Sequence, residues 1–338
     1  MITQERNLRN LKMALPANIG PAPFNIVRLS HIVLTVTDLQ ASRAFYVDVL
    51  GLQVTEETRT RISLRAMEER GHHCIVLEQG DIAVAHELGF KVHGEDDLDR
   101  AKAYFDQRGL PTSWAEVPHQ ARTLRTRDPQ GIPLEFYARM DRLPPIHQKY
   151  ALYRGVKPLR IDHFNCFSPD VGEAVEFYSS IGFRLTEYTA TEDTDEFWAA
   201  WMHRKGGVHD IAFTNGAGPR LHHVAFWVPT PLNIIDLLDL MSTTGYVANI
   251  ERGPGRHGIS NAFFLYVRDP DGHRIEIYCS DYQTIDPDHE PIRWDLKDPQ
   301  RQTLWGAPAP RSWFEEGSVF AGVTPRLPKL KATPIIAP

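Results

Sequence analysis

Histidine and glutamate stand at matched places in the second half of this chain. His163 lies in Leu159-Arg160-Ile161-Asp162-His163-Phe164-Asn165, and a histidine pair lies in Arg220-Leu221-His222-His223-Val224-Ala225-Phe226. Glu276 lies in Arg274-Ile275-Glu276-Ile277-Tyr278. Each stretch is short, with an alternating or apolar pattern that reads as a strand. Two imidazoles and one carboxylate on one face of a metal leave several positions open. That is the usual donor set of a non-haem Fe(II) site that activates oxygen. Asn165 follows His163 by two residues, so a strand puts both on one face.

The elements that must carry these residues come from an internal repeat. Leu29-Ser30-His31-Ile32-Val33-Leu34 is followed by Asp38, Ala44-Phe45-Tyr46 and Leu50-Gly51-Leu52. Ile161-Asp162-His163-Phe164-Asn165 is followed in the same order by Asp170, Glu176-Phe177-Tyr178 and Ile181-Gly182-Phe183. Both read as strand, turn, amphipathic helix ending at glycine, and strand. The helices place Ala41, Phe45 and Val49, or Val171, Ala174 and Tyr178, at spacings suited to packing on a sheet. Ala85-His86-Glu87-Leu88-Gly89-Phe90 corresponds to Leu221-His222-His223-Val224-Ala225-Phe226. Asp128-Pro129-Gln130-Gly131 and Asp269-Pro270-Asp271-Gly272 are tight turns, each leading to a strand with a central glutamate, Glu135 or Glu276. The expected fold is therefore α+β, with four βαβββ modules paired into two domains, 25–145 and 157–283. Residues 284–322 hold Trp294, Trp305 and Trp313, too many large aromatics for a free tail, and are expected to form a lid. Residues 323–338, rich in proline and lysine, are expected to be disordered.

Bulk properties restrict the partners. At 338 residues there is room for two cores, and 42% hydrophobic with 24% charged residues is ordinary for a globular chain. A net charge of -6 argues against a nucleic-acid partner. Cys74, Cys166 and Cys279 are distant and odd in number, so no disulfide framework is expected. Met1–Gly20 lacks a signal-peptide core and no apolar run approaches membrane-spanning length, so a cytoplasmic protein acting on small molecules, without a membrane partner, is expected.

The paired modules resemble the vicinal oxygen chelate superfamily. Pro219–Phe226, Glu251-Arg252-Gly253-Pro254-Gly255-Arg256-His257-Gly258 and Asp269–Tyr278 resemble type I extradiol ring-cleaving dioxygenases, over roughly residues 25 to 320. That resemblance implies a metal site of His163, His223 and Glu276, with Fe(II) as cofactor and Mn(II) able to use the same ligands. It implies His209 as acid/base, with Tyr266 as the second catalytic group. Asn165, Trp201 and His257 would surround substrate and O2, while Arg252 and Arg301 would face a substrate carboxylate. The reaction implied is insertion of both atoms of O2 into a catecholic ring beside the diol, with 3,4-dihydroxyphenylacetate as substrate. A homo-oligomer, specifically a homotetramer, is implied too. The family pattern has two adjacent arginines in the tail, whereas this chain has Arg301 followed by Gln302.

Plainer readings compete at several positions. A lone strand histidine is usually a satisfied core residue. His222 should point away from the face of His223 and serve structure, and His203 and His273 suit packing. Trp198 and Trp201 are either core aromatics or pocket walls. The first domain carries His31, His73 and Glu135 opposite His163, His209 and Glu276, but Glu87 replaces His223 and Arg125 replaces Tyr266. A decayed site is the expectation there. Catechol or another substituted catechol remains an alternative substrate. A 4-hydroxyphenylpyruvate dioxygenase-like hydroxylase is a second enzyme reading, and a drug-sequestering binding module a third.

Overall fold

A computed structural model describes residues 15–16, 21–191 and 196–331. The first half forms one eight-stranded sheet. Its strands are β1 (Ile26–Val36), β2 (Gln53–Glu57), β3 (Arg61–Arg65), β4 (Ile75–Gln79), β5 (Val84–Val92), β6 (Thr112–Ala115), β7 (Thr123–Arg127) and β8 (Pro133–Tyr137). Their spatial order is β2-β3-β4-β1-β5-β8-β7-β6, leaving β2 and β6 at the edges. Helix α1 (Leu39–Arg43), continued by a wider turn over Ala44–Val49, follows β1, and α2 (Glu95–Gln107) follows β5.

The second half repeats the plan. Strand β9 (Arg160–Ser168) and helix α3 (Val171–Ser180) precede β10 (Arg184–Ala190), β11 (Phe197–His203) and β12 (Ile211–Asn215). Strand β13 (Arg220–Trp227) and helix α4 (Pro231–Thr243) precede β14 (Ile250–Arg256), β15 (Phe263–Arg268) and β16 (Arg274–Cys279). In both sheets each module's first strand runs parallel to its fourth, β1 with β4, β5 with β8, β9 with β12 and β13 with β16. The leading strands of paired modules meet antiparallel, β1 with β5 and β9 with β13. A parallel return needs a crossover connection, and here each one begins with the helix.

Local chemistry explains why the modules start and stop together. The Asp38 carboxylate accepts hydrogen bonds from the amides of Gln40 and Ala41, and Asp170 accepts from that of Glu173, so equivalent aspartates cap α1 and α3. Gly51 and Gly182 end those helical stretches at φ of 88° and 94°, a region that favours glycine. Apolar helix faces pack on the sheets. Phe45 and Val49 are buried, as are Val171, Ala174 and Tyr178, while Ala41 is half-buried. All three cysteines are buried free thiols. Among the described residues no helix is long and apolar enough to cross a membrane.

The segment after β16 wraps the second sheet. Strand β17 (Ile292–Asp295) pairs with β10, β18 (Trp305–Gly306) with β14, and β19 (Ser318–Val319) with β13; α5 (Arg311–Glu315) lies between β18 and β19. Trp313 is buried, Trp294 half-buried with its indole N–H donating to Glu187, and Trp305 half-exposed beside Phe263. The expectation of disorder from residue 323 needs correction for its described part. Arg326 and Gly218 exchange two backbone hydrogen bonds, the Lys329 amide donates to Pro169 O, and Leu330 O accepts from Asn215. The segment finds backbone partners along the second sheet, which composition alone does not reveal. Residues 332–338 lie outside the described residues.

Candidate metal centre and catechol pocket

Strand register brings the three donors together. On β13, Ala225 is paired with His163 of β9 on one side and with Glu276 of β16 on the other. His223 lies two residues before Ala225, on the same face. His163 Nε2 is consequently 3.2 Å from His223 Nε2 and 2.9 Å from Glu276 Oε2, and His223 Nε2 is 3.1 Å from that same oxygen. All three side chains are buried.

The neighbours set the tautomers. Asp162 Oδ2 accepts from His163 Nδ1–H at 3.1 Å and also from the Tyr278 hydroxyl. Lys205 Nζ lies 3.1 Å from the other Asp162 oxygen. Burial would raise the Asp162 carboxyl, but Lys205, His163 and Tyr278 hold it well below the usual carboxylate range. His222 Nε2–H donates to Trp313 O at 2.8 Å, leaving its Nδ1 to accept from His223 Nδ1–H at 2.6 Å. A β-bulge between Leu221 and His223 lets these adjacent rings meet, so His222 supports its neighbour from behind. Both ligand-side Nε2 atoms therefore present lone pairs towards an ionised carboxylate. Glu276 is kept well below its ordinary range, burial being outweighed by His163 and His223, while burial lowers His223 to about 4. Three electron-pair donors facing one another in a buried site fit a bound cation. One donor atom from each of His163, His223 and Glu276 lies within 4.8 Å of the others, a spacing that could hold a metal ion.

A cavity opens beside these donors, with Asn165, Trp198, Trp201, His209, His257, Tyr266, Arg301, Gln302 and Trp313 in its wall. Its aromatic walls with a few polar groups suit a small aromatic ligand. His209 is buried, its ring centroid 3.8 Å from that of His163, and its Nδ1 has no hydrogen-bond partner. Burial first, then the neighbouring His163, holds its imidazole well below the ordinary range and hence neutral. Tyr266 pairs across the strands with Glu276, and its hydroxyl is 3.1 Å from His257 Nε2. His257 stacks on Phe264 at 3.8 Å. Asn165, paired with His223, accepts from Thr214.

The two arginines are placed differently. Arg301 lines the cavity and is buried; its Nε donates to Leu296 O and its Nη1 has no partner. Arg252 does not reach the cavity wall. Its guanidinium lies 4.8 Å from the rings of both Phe264 and Trp313, with Nη2 donating to Gln302 O and Thr303 Oγ1. Its Nε and Nη1 are buried without a hydrogen-bond partner. Burial lowers both guanidiniums to about 10, with Arg274 adding to the effect at Arg252 and Arg252 at Arg301. Trp198 belongs to the wall and packs under Arg301.

Sequence reasoning missed Asp162 and Lys205, and named Trp313 only as an aromatic of the lid. Asp162 was visible as an acid beside the ligand histidine, whereas Lys205 and Trp313 arrive only through folding.

In the first domain, Gly89 pairs with both His31 and Glu135, as Ala225 does with His163 and Glu276, so Glu87 takes the place of His223. His31 Nε2 lies 3.0 Å from Glu135 Oε1. Arg125, paired with Glu135 as Tyr266 is with Glu276, sends Nε to Glu135 Oε2 at 2.8 Å and Nη1 to within 3.3 Å of Glu87 Oε1. An internal guanidinium thus supplies the cation between those carboxylates.

The fold and this centre agree with relationships across the whole chain. The sequence pattern of the Glyoxalase/Bleomycin resistance protein/Dioxygenase superfamily matches residues 28–136 and 160–277, and the chain belongs to that family as an extradiol ring-cleaving dioxygenase. It is 45% identical to the homoprotocatechuate 2,3-dioxygenase of Brevibacterium fuscum in its anaerobic complex with 3,4-dihydroxyphenylacetate. That superposition has a TM-score of 0.86 and covers 91% of this chain and 97% of the other. The homoprotocatechuate 2,3-dioxygenase of Arthrobacter globiformis is 43% identical with a TM-score of 0.87, covering 93% and 99%. A manganese-dependent 2,3-dihydroxybiphenyl 1,2-dioxygenase of Geobacillus genomosp. 3 is 32% identical over 84% of this chain and 94% of its own length.

Proposed function

We propose that the chain cleaves 3,4-dihydroxyphenylacetate beside its diol, using a metal held by His163, His223 and Glu276, with Fe(II) as the resident ion and Mn(II) accepted by the same donors. The observation that carries this reading is the position of Arg301. It is a buried guanidinium in the wall of the cavity beside the His163–His223–Glu276 donors, with one N–H group unpartnered, and no ion pair engages it among the described residues. A carboxylate on the substrate would satisfy that donor. Arg252 adds positive potential from behind Gln302. The Gln302 side chain offers an amide where the resemblance expects a second guanidinium, which leaves Arg301 and Arg252 as the cations for the carboxylate. The complex of the Brevibacterium fuscum relative with 3,4-dihydroxyphenylacetate supports the same substrate class.

His163, His223 and Glu276 would hold the divalent ion, whose Lewis acidity would lower the pKa of the catechol hydroxyls. The protein groups handle protons and orientation. His209, neutral and unpartnered at Nδ1, accepts a hydroxyl proton as the ring binds and returns it later in turnover. Tyr266 keeps its proton because burial raises it well above its ordinary range, so its hydroxyl donates to the deprotonated ring oxygen. Asn165 and His257 offer hydrogen bonds on either side, and Trp198, Trp201 and Trp313 exclude bulk water. Both oxygen atoms enter the product, a carboxymethyl-hydroxymuconic semialdehyde.

The same reading makes the protein a cytoplasmic homotetramer in the breakdown of aromatic compounds. Buried reduced cysteines and the exposed apolar residues Leu232 and Ile235 on α4 support it. Light scattering on the purified holoenzyme tests the assembly.

The activity test is anaerobic loading with Fe(II), then 3,4-dihydroxyphenylacetate and air, following the yellow ring-opened product, with catechol and Mn(II)-loaded enzyme in parallel. Preferential turnover of the carboxylate substrate is expected. Turnover of catechol alone would keep ring cleavage and discard the carboxylate contact. No product from either, with one metal bound per chain, would overturn the reading.

A further inference from the structure

We infer that Glu187 is a positioning residue for ring cleavage: its buried carboxylate ties the cavity-lining turn at Ser260 to Trp294 of the wrapping segment, and so sets how well the pocket holds its catechol. The inference rests on the reading of this cavity as the catechol pocket. Glu187 lies on β10, paired with the cavity residue Trp201 of β11 on one side and with Ile292 of β17 on the other. Its Oε1 accepts from the Ser260 amide at 2.8 Å and from the Tyr282 hydroxyl at 2.5 Å. Its Oε2 accepts from the Trp294 indole N–H at 2.5 Å.

Three observations make this more than a satisfied core carboxylate. First, the turn it holds is strained. Ser260 and Asn261 have φ of 58° and 56°, two successive left-handed residues without a glycine. Such backbone persists only where its surroundings over-determine it, and it gathers at ligand sites. Ile259 and Ser260 line the cavity, so a shift of the turn changes the pocket wall. Second, the wrapping segment sits directly on that turn. The Gly258 amide donates to Gln300 O at 3.2 Å. A Cβ on Gly258 would stand 2.4 Å from Gln300 O and 2.9 Å from the Trp294 ring, so the two surfaces meet without a gap. Arg301 and Gln302 follow in the same segment and belong to the cavity wall, and Arg301 Nε donates to Leu296 O. Third, the donors cannot trade roles. An amide N–H and an indole N–H offer no lone pair, so each Glu187 oxygen must accept. Burial raises the Glu187 carboxyl, and the bonds from Tyr282, Trp294 and Ser260 oppose that rise.

A glutamine at this position presents one NH2 group to a donor it cannot satisfy. Either the Ser260 amide or the Trp294 indole then loses its acceptor, and the buried N–H left behind loosens the turn or the segment. The metal donors sit on β9, β13 and β16, strands with which β10 does not pair, so metal loading is independent of this junction. The effect falls on substrate capture: KM rises while the groups that move protons keep their places.

The test compares iron-loaded wild type with Glu187→Gln, Trp294→Phe and the double variant, with iron counted in every sample. Iron per chain should be equal in all four. Glu187→Gln should raise KM for 3,4-dihydroxyphenylacetate and for catechol at least about tenfold, with a much smaller change in kcat per iron. Simple loss of folded protein would lower kcat per chain and leave KM alone. Trp294→Phe keeps an aromatic ring and should raise KM in the same direction; it carries the test if Glu187→Gln does not fold. The double variant should be no worse than Glu187→Gln, because both changes break one junction. Amide exchange within 257–262, read by mass spectrometry without substrate, should speed up in Glu187→Gln. Wild type that cleaves neither catechol would sink the underlying reading and this inference with it. Active wild type with KM unchanged in the variants, KM effects that add in the double variant, or unaltered exchange would overturn this inference alone.

Discussion

Replacing Glu251 by glutamine removes the counter-charge from Arg274, whose side chain is fully buried between the ligand strands and α5. Glu251 Oε2 accepts from Arg274 Nε at 2.5 Å. Its Oε1 accepts from Arg274 Nη2 at 2.9 Å, Arg268 Nη2 at 2.7 Å and Ser312 Oγ at 2.9 Å. Arg274 also donates to the carbonyls of His222, Glu316 and Ser312. One carboxylate therefore anchors the strand carrying Glu276 to the segment carrying Trp313. Burial works against its ionisation, but Arg274 and Arg268 hold its carboxyl down at about 2, against an ordinary value of 4.5. That difference corresponds to at most about 3 kcal/mol of stability. The sign follows from the depressed pKa: the contribution is complete above pH 4.5 and disappears as pH falls towards 2. Urea unfolding of wild type and Glu251→Gln at pH 7 should differ by about 3 kcal/mol, and the gap should narrow below pH 4.5. Because α5 loses its hold, KM for the catechol should rise as well. A gap under about 1 kcal/mol at pH 7 together with an unchanged KM would refute this reasoning, since an uncompensated buried guanidinium cannot be that cheap.

Other consequences can be measured directly. Arg301→Gln should lower kcat/KM for 3,4-dihydroxyphenylacetate by roughly 10- to 100-fold, the worth of a charge-assisted hydrogen bond, and leave catechol turnover nearly unchanged in steady-state assays. His209→Asn should retain metal, by direct counting, and bind substrate, but slow ring cleavage by about 10²- to 10⁴-fold. In the first domain, Arg125→Gln leaves Glu87 and Glu135 without their shared cation and should cost about 2 kcal/mol in urea unfolding, with no change in ring cleavage.

The sequence by itself determined the modules and the donor types. Repeated capping aspartates, helix-ending glycines and Asp-Pro-x-Gly turns act within a few residues, so Asp38 and Asp170, or Gly131 and Gly272, could be read in place. Strand alternation also put His163 and Asn165 on one face before any fold was known. Only tertiary structure decided which strands became neighbours, and with them the register that sets Ala225 between His163 and Glu276. It decided too that His222 would turn back to hold His223, because a bulge is a property of the paired strand. Arg252 shows the same limit. Its place beside the Gly-Pro-Gly turn was legible, but its packing against Phe264 and Trp313 and its bond to the Gln302 carbonyl come only from the fold.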